Sequence, residues 1–262
     1  MPSVYAHYRF GAQLIPKMPP KVQRTVCRFR QLYDMGLHGP DIFDYLGGLS
    51  GGGKLRQMFH AQTGKVFFER VCRNIRLRPS EGALAYLYGL LAHYALDSLS
   101  SGYIARMAKQ EKLSVDVIAM EFDRYLLLLD GKKPPHLQDL SGHIKLTPGE
   151  CETVAACYPR VSAGAVGKSV EHMASVIHLL ALPQGSRRQW LDKGVRLVMP
   201  KAAGRVMPVH PNHACGAINP SLQRLYDMAA DRYPLLVEQI HGHLRRNAAL
   251  GADFSVPFRS KD

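Results

Sequence analysis

From Leu84 to Asp97 the chain reads Leu-Ala-Tyr-Leu-Tyr-Gly-Leu-Leu-Ala-His-Tyr-Ala-Leu-Asp, an apolar run broken only by Gly89, His93 and Asp97. Such a run belongs either in a bilayer or in a protein core. A membrane span needs roughly 20 predominantly apolar residues; this run is shorter and carries a carboxylate, so a buried core helix is predicted. A helix apolar on every side has to be wrapped by other elements. His93 and Asp97 are four residues apart and lie one above the other on one face of that helix. A buried imidazole and a buried carboxylate must each find a partner or a metal. A hydrogen bond between His93 and Asp97 inside the core would satisfy them. So would one shared ion, and zinc is the obvious candidate because His nitrogen and Asp oxygen are both standard zinc ligands. The spacing alone leaves both readings open.

The surrounding sequence is also helical. Pro19-Pro20 opens a helix through Val22, Val26, Phe29 and Leu32 that stops before Gly36. Gly39-Pro40, Gly47, Gly48 and Gly51 to Gly53 make a loop-rich passage around the apolar turn Ile42-Phe43. Val66, Phe67, Val71 and Ile75 then recur at helical spacing between Gly64 and Leu77. Ser80 is the expected N-cap of the central helix, and Ser114 that of a helix with Val115, Ile118, Phe122, Tyr125 and Leu126 on one side. Further helices are predicted from about Lys168 to Leu182 and from Ser221 to Leu250. With no alternating strand and no internal repeat, the fold class is all-α. The 262 residues, 46% of them hydrophobic, are enough for a substantial core in a single domain spanning 1–262.

Composition narrows the function classes. Cys27, Cys72, Cys151, Cys157 and Cys215 are odd in number and form no Cys-x-x-Cys pair. This points away from a disulfide framework or a cysteine-rich zinc site, toward reduced, mostly buried thiols. Tyr5, His7, Tyr8 and Arg9 come too early for a signal peptide, so a cytoplasmic location is expected. A formal charge of +13 favours anionic partners: phosphorylated substrates, an anionic membrane surface, or nucleic acid.

Other ligand-type residues are scattered along the chain: His7, Asp41, His60 and Glu121. Each has an ordinary alternative. His60 would suit a surface loop, Asp41 a turn after Pro40, and Glu121 a helical pair with Arg124. His38 and Asp44 compete with Asp41 on equal chemical terms.

Taken in order, Tyr-Ala-His-Tyr-Arg-Phe-Gly at the N-terminus, Gly-Leu-His-Gly-Pro-Asp, the lone His60, His-Tyr-Ala-Leu-Asp-Ser and Glu-Phe-Asp-Arg-Tyr-Leu resemble the bacterial zinc-dependent phospholipase C family, in particular its cytosolic, signal-less branch; the helical zinc nucleases are more remote relatives. The resemblance covers roughly residues 1 to 145 and ends at Ser141-Gly-His-Ile-Lys145. It implies a cleft between helices where Asp41, His60, His93 and Asp97 hold one zinc and His7, sharing Asp97, forms part of a second. Asp41 matches the residue proposed in the family as general base. A third family site has Glu121 as its match, but Ser101 and Val117 stand where relatives carry histidines. That site is therefore expected to be incomplete, and one or two Zn2+ ions are implied. The implied activity is zinc-dependent hydrolysis of a phosphodiester or phospholipid-like anionic substrate.

The second half carries a basic stretch from Gly185 to Val209, with Arg187, Arg188, Lys193, Arg196, Lys201 and Arg205 against Asp192 alone. Such a stretch reads first as a solvated face. His210 and His213 read as a polar loop, and His172 and His178 as ordinary helix residues. Three function classes remain: a phospholipase C-like hydrolase, a metal-binding protein of reduced or no activity on the same fold, and a basic helical module for nucleic acid or anionic membrane, nucleic acid being the lesser expectation.

Overall fold

The computed structural model describes residues 3–46, 53–181 and 206–259. Among these the regular elements are helices: α1 (Val4–Leu14), α2 (Pro20–Arg28), α3 (Arg30–Gly36), α4 (Gly53–His60), α5 (Gly64–Leu77), α6 (Glu81–Gln110), α7 (Val115–Leu129), α8 (Pro148–Ala155), α9 (Ala163–Leu180) and α10 (Ile218–Arg246). The only extended pairing among the described residues is an isolated bridge between Thr63 and Pro257. No described helix is long and apolar enough to cross a membrane.

The expected central helix is α6. Ser80 caps it, its side chain accepting from the Ala83 N–H at 3.3 Å; Ser114 caps α7 in the same way, accepting from Val117 at 3.2 Å. From Ala85 to Asp97 every residue of α6 is buried, as an all-round apolar segment requires. Its main packing partners are α3 and α10.

The helix predicted from Pro20 to Gly36 is two helices, broken at Phe29 (φ −116°, ψ 48°). The break lets α3 cross α6 with the two backbones in contact: a Cβ on Gly89 would collide with the Tyr33 carbonyl and lie 2.8 Å from the Gly36 Cα. Gly36 and Gly89 are thus what allows the crossing, and it brings the end of α3 against His93. The last helix begins at Ile218 and ends at Arg246 rather than Leu250, because Asn247 adopts a left-handed conformation (φ 51°) and stops it. The helix expected from Lys168 begins earlier, where Ser162 accepts from the Ala165 N–H at 3.2 Å. Sequence reading missed α8, although Thr147-Pro-Gly-Glu150 spells its capping box.

Candidate metal centre

Five of the expected ligands converge beside α6. His93 is fully buried, and its Nδ1 donates to the Leu37 carbonyl at the end of α3, 3.0 Å away. His60 closes α4, and its Nδ1 donates to the Arg56 carbonyl one turn earlier, also at 3.0 Å. A backbone carbonyl can only accept, so both rings carry their proton on Nδ1 and present the Nε2 lone pair. His93 Nε2 lies 3.4 Å from Asp97 Oδ2; His60 Nε2 lies 3.3 Å from Asp41 Oδ1 and 3.7 Å from Asp97 Oδ2. From α1, His7 stacks on His93 with ring centroids 4.4 Å apart and brings Nε2 to 3.2 Å from Asp97 Oδ1. Asp41 enters from a short 3-10 segment, Gly39–Tyr45.

Two sets of ligand atoms each lie within 4.8 Å of one another: His60, His93 and Asp97 form one, His7, Asp41 and His93 the other. Asp97 faces both, Oδ1 toward His7 and Oδ2 toward His93 and His60. Burial pushes the Asp97 carboxyl up, but the facing His93 and His7 hold it well below the usual carboxylate range. At Asp41 burial is likewise outweighed, by His60 and Arg56. Burial pushes His60 down to about 4 and lowers His93, so the imidazoles are neutral and able to ligate at pH 7.

The donor set fits a cation by what it leaves unsatisfied. His7 Nδ1 and Nε2, His60 Nε2, His93 Nε2, Asp41 Oδ1 and both Asp97 oxygens are buried without a hydrogen bond of acceptable geometry. Each such atom costs about 1–3 kcal/mol, and so many in one place need a ligand. The tautomer-fixing carbonyls of Leu37 and Arg56 are the outer-shell partners that metal-binding histidines ordinarily have.

Glu121 does not join either set. It is buried on α7, where burial raises its carboxyl against the pull of the Asn212 backbone N–H and Arg124, so it faces the segment around Asn212. At the two positions where the resemblance expects histidines, Ser101 Oγ donates to the Phe258 carbonyl at 3.4 Å, and Val117 is half-buried. Of the residues that competed with Asp41, Asp44 pairs with Arg56 at 2.7 Å. His38 is paired, Nε2 to Nε2 at 2.7 Å, with His143, whose ring stacks on Tyr8.

Two residues that matter here went unremarked in the sequence. Asp123, two positions after Glu121, accepts from the Tyr5 and Ala6 N–H groups at 2.9 and 2.8 Å. It thereby holds the N-terminus of α1, and with it His7, in place. The signal was present in Glu-Phe-Asp-Arg. Phe258, far along the chain, packs its ring against both His60 and His93 at 5.9 Å, and no local pattern announces it.

His172 and His178 are exposed, bonded to the Tyr45 carbonyl and to Asp139; His210 and His213 are exposed and belong to neither set. Arg187, Arg188, Lys193, Arg196, Lys201 and Arg205 lie outside the described residues.

A cleft of about 90 Å³ opens over the cluster, enough for several waters or a phosphate-sized group. His7, His38, Asp41, Asp44, Arg56 and Arg259 form one side, and Ala119 and Met120 of α7 with Met173, Ile177 and Leu180 of α9 form an apolar wall. No protein-family model matches the chain, and neither a curated protein nor a solved structure matches it.

Proposed function

We propose that this protein is a zinc-dependent hydrolase of phosphodiesters, of phospholipase C type, working with one or two ions. The observation that carries the proposal is the cluster of buried, unsatisfied His and Asp atoms around Asp97, with two imidazoles locked by backbone carbonyls into the tautomer that leaves Nε2 as the ligand. His60, His93, Asp97 and Asp41 would hold one ion, and His7 with the other oxygen of Asp97 a second. Zinc so held would supply Lewis acidity and lower the pKa of water toward neutrality. The chain's own residues do the rest. Asp41 is the partly exposed carboxylate of the set, 16% accessible and facing the cleft, placed to accept a proton as general base. The apolar wall from α7 and α9 seats an apolar substituent of the substrate and excludes water. The net positive charge draws anionic substrates, including those at a membrane surface.

A second reading, a metal-binding protein of reduced or no activity, is favoured by one observation: Glu121 stands apart from both ligand sets, and Ser101 and Val117 offer no imidazole. Zinc per chain by elemental analysis of protein purified without an affinity tag, together with turnover of p-nitrophenyl phosphorylcholine, tests both. Zinc with turnover supports the hydrolase, and zinc without turnover supports the second reading. A chain that takes up no zinc after refolding in its presence refutes both.

A further inference from the structure

We infer that Arg56 and Arg259 act together as the anion-positioning pair of this cleft, gripping the non-bridging oxygens of a phosphoryl group. The inference rests on the zinc-hydrolase reading and adds to it the residues that hold the substrate.

Asp41, Asp44 and Asp116 line the cleft and Asp97 lies buried behind them. Without cations these carboxylates outnumber the two arginines and repel a phosphate. Two dipositive ions just balance four carboxylates. What then attracts an anion is further positive charge, and among the described residues lining the cleft that charge is carried by Arg56 and Arg259. Glu121 belongs to no ligand set, so fixed guanidinium groups supply that charge.

Placement supports the same conclusion. Arg56 lies one helical turn before His60 on α4, so the residue whose carbonyl orients a ligand also sends its side chain into the cleft. Its Nε lies 2.7 Å from Asp44 Oδ1, and one terminal nitrogen lies 3.6 Å from Asp41 Oδ1. The two carboxylates hold the guanidinium at the cleft by charge, and its planar fork suits phosphate oxygens bound in pairs. Arg259 comes from the opposite end of the chain. The Thr63–Pro257 bridge and the fully buried Phe258 ring pin the segment against His60 and His93. The next residue is thereby delivered to the cleft.

The test uses inorganic phosphate as the probe on the full-length, zinc-loaded chain. Phosphate affinity by calorimetry, KM and kcat for p-nitrophenyl phosphorylcholine, zinc per chain and Tm are measured for wild type, Arg56→Gln, Arg56→Lys and Arg259→Gln. Each Gln variant is expected to keep its zinc and fold while phosphate binding weakens and KM rises by roughly 10- to 100-fold, the effect of losing a charged hydrogen bond. Arg56→Lys should recover only part of the loss. Unchanged phosphate affinity in Arg259→Gln with zinc retained overturns the inference while leaving the zinc-hydrolase reading intact, and so does a loss in Arg56→Gln that tracks lost zinc or lost fold. A wild-type chain that takes up no zinc overturns the underlying reading and this inference with it.

Discussion

Replacing Gly89 with alanine sets two effects against each other. In the middle of a helix alanine is favoured over glycine by about 1 kcal/mol, so local propensity predicts a more stable protein. The structure predicts the opposite. A methyl at position 89 would collide with the Tyr33 carbonyl and sit 2.8 Å from the Gly36 Cα. Both are backbone, so no side chain can swing aside and α3 itself has to move. Overpacking of this kind costs about 1–3 kcal/mol. The displaced α3 also carries the Leu37 carbonyl away from His93 Nδ1, now 3.0 Å distant, for a further cost of about 1 kcal/mol. The clash outweighs the propensity, and the net expectation is a loss of about 1–3 kcal/mol, or a fall in Tm of roughly 3–10 °C. Zinc affinity should drop as well, because His93 loses the partner that fixes its tautomer. The contrasting variant is Gly167→Ala in α9, where the new methyl would lie 3.6 Å from the Cys151 sulfur, an ordinary contact; it should gain about 0.5–1 kcal/mol. Urea denaturation and zinc titration of both variants decide the matter. If Gly89→Ala is as stable as Gly167→Ala and binds zinc like wild type, the close crossing of α3 and α6 is wrong, and with it the account of how His93 is held.

Other perturbations test the cluster separately. His93→Ala should abolish tight zinc binding and destabilise the chain by several kcal/mol, since Asp97 would remain a fully buried carboxylate without its main compensating neighbour; equal Tm in variant and wild type would argue against a buried site. Chelation should lower the Tm of zinc-loaded protein, because a ligand at 1,000 times its Kd contributes about 4 kcal/mol. Asp123→Asn should loosen α1 by about 1–2 kcal/mol and weaken binding at His7 more than at His60, since Asp123 accepts from two N–H groups of α1; two-step zinc titrations would show it. In the zinc-free chain burial holds His60 and His143 at about 4, against about 6.5 for an exposed histidine. Between those values the folded state binds fewer protons than the unfolded chain, so stability is fully present above pH ~6.5 and is lost as pH falls toward ~4, by about 3 kcal/mol per histidine. Asp123, raised to about 6 by burial, opposes the trend over part of that window; a urea midpoint unchanged between pH ~7 and ~4.5 would contradict this account.

Helices and their starts were largely legible in the chain because their causes are local. Ser80 and Ser114 cap α6 and α7 through hydrogen bonds spanning three residues, and the apolar run through Leu84 dictated that α6 be buried on all sides. His93 and Asp97 on one helix face followed from the helical repeat alone. What periodicity could not decide was which distant side chains meet them. Asp41 and His60 each had an ordinary turn or surface role open to them, nothing local tied His7 to α6, and Glu121 had as good a chemical claim to the cluster. The choice was made where α3 crosses α6 at Gly36 and Gly89, which sets the Leu37 carbonyl against His93. It was made again where Asp123 holds the start of α1 and where Phe258 carries Arg259 to the cleft. These contacts join residues more than 50 positions apart, and their energies depend on backbone approach and shared burial, which exist only once the helices have packed.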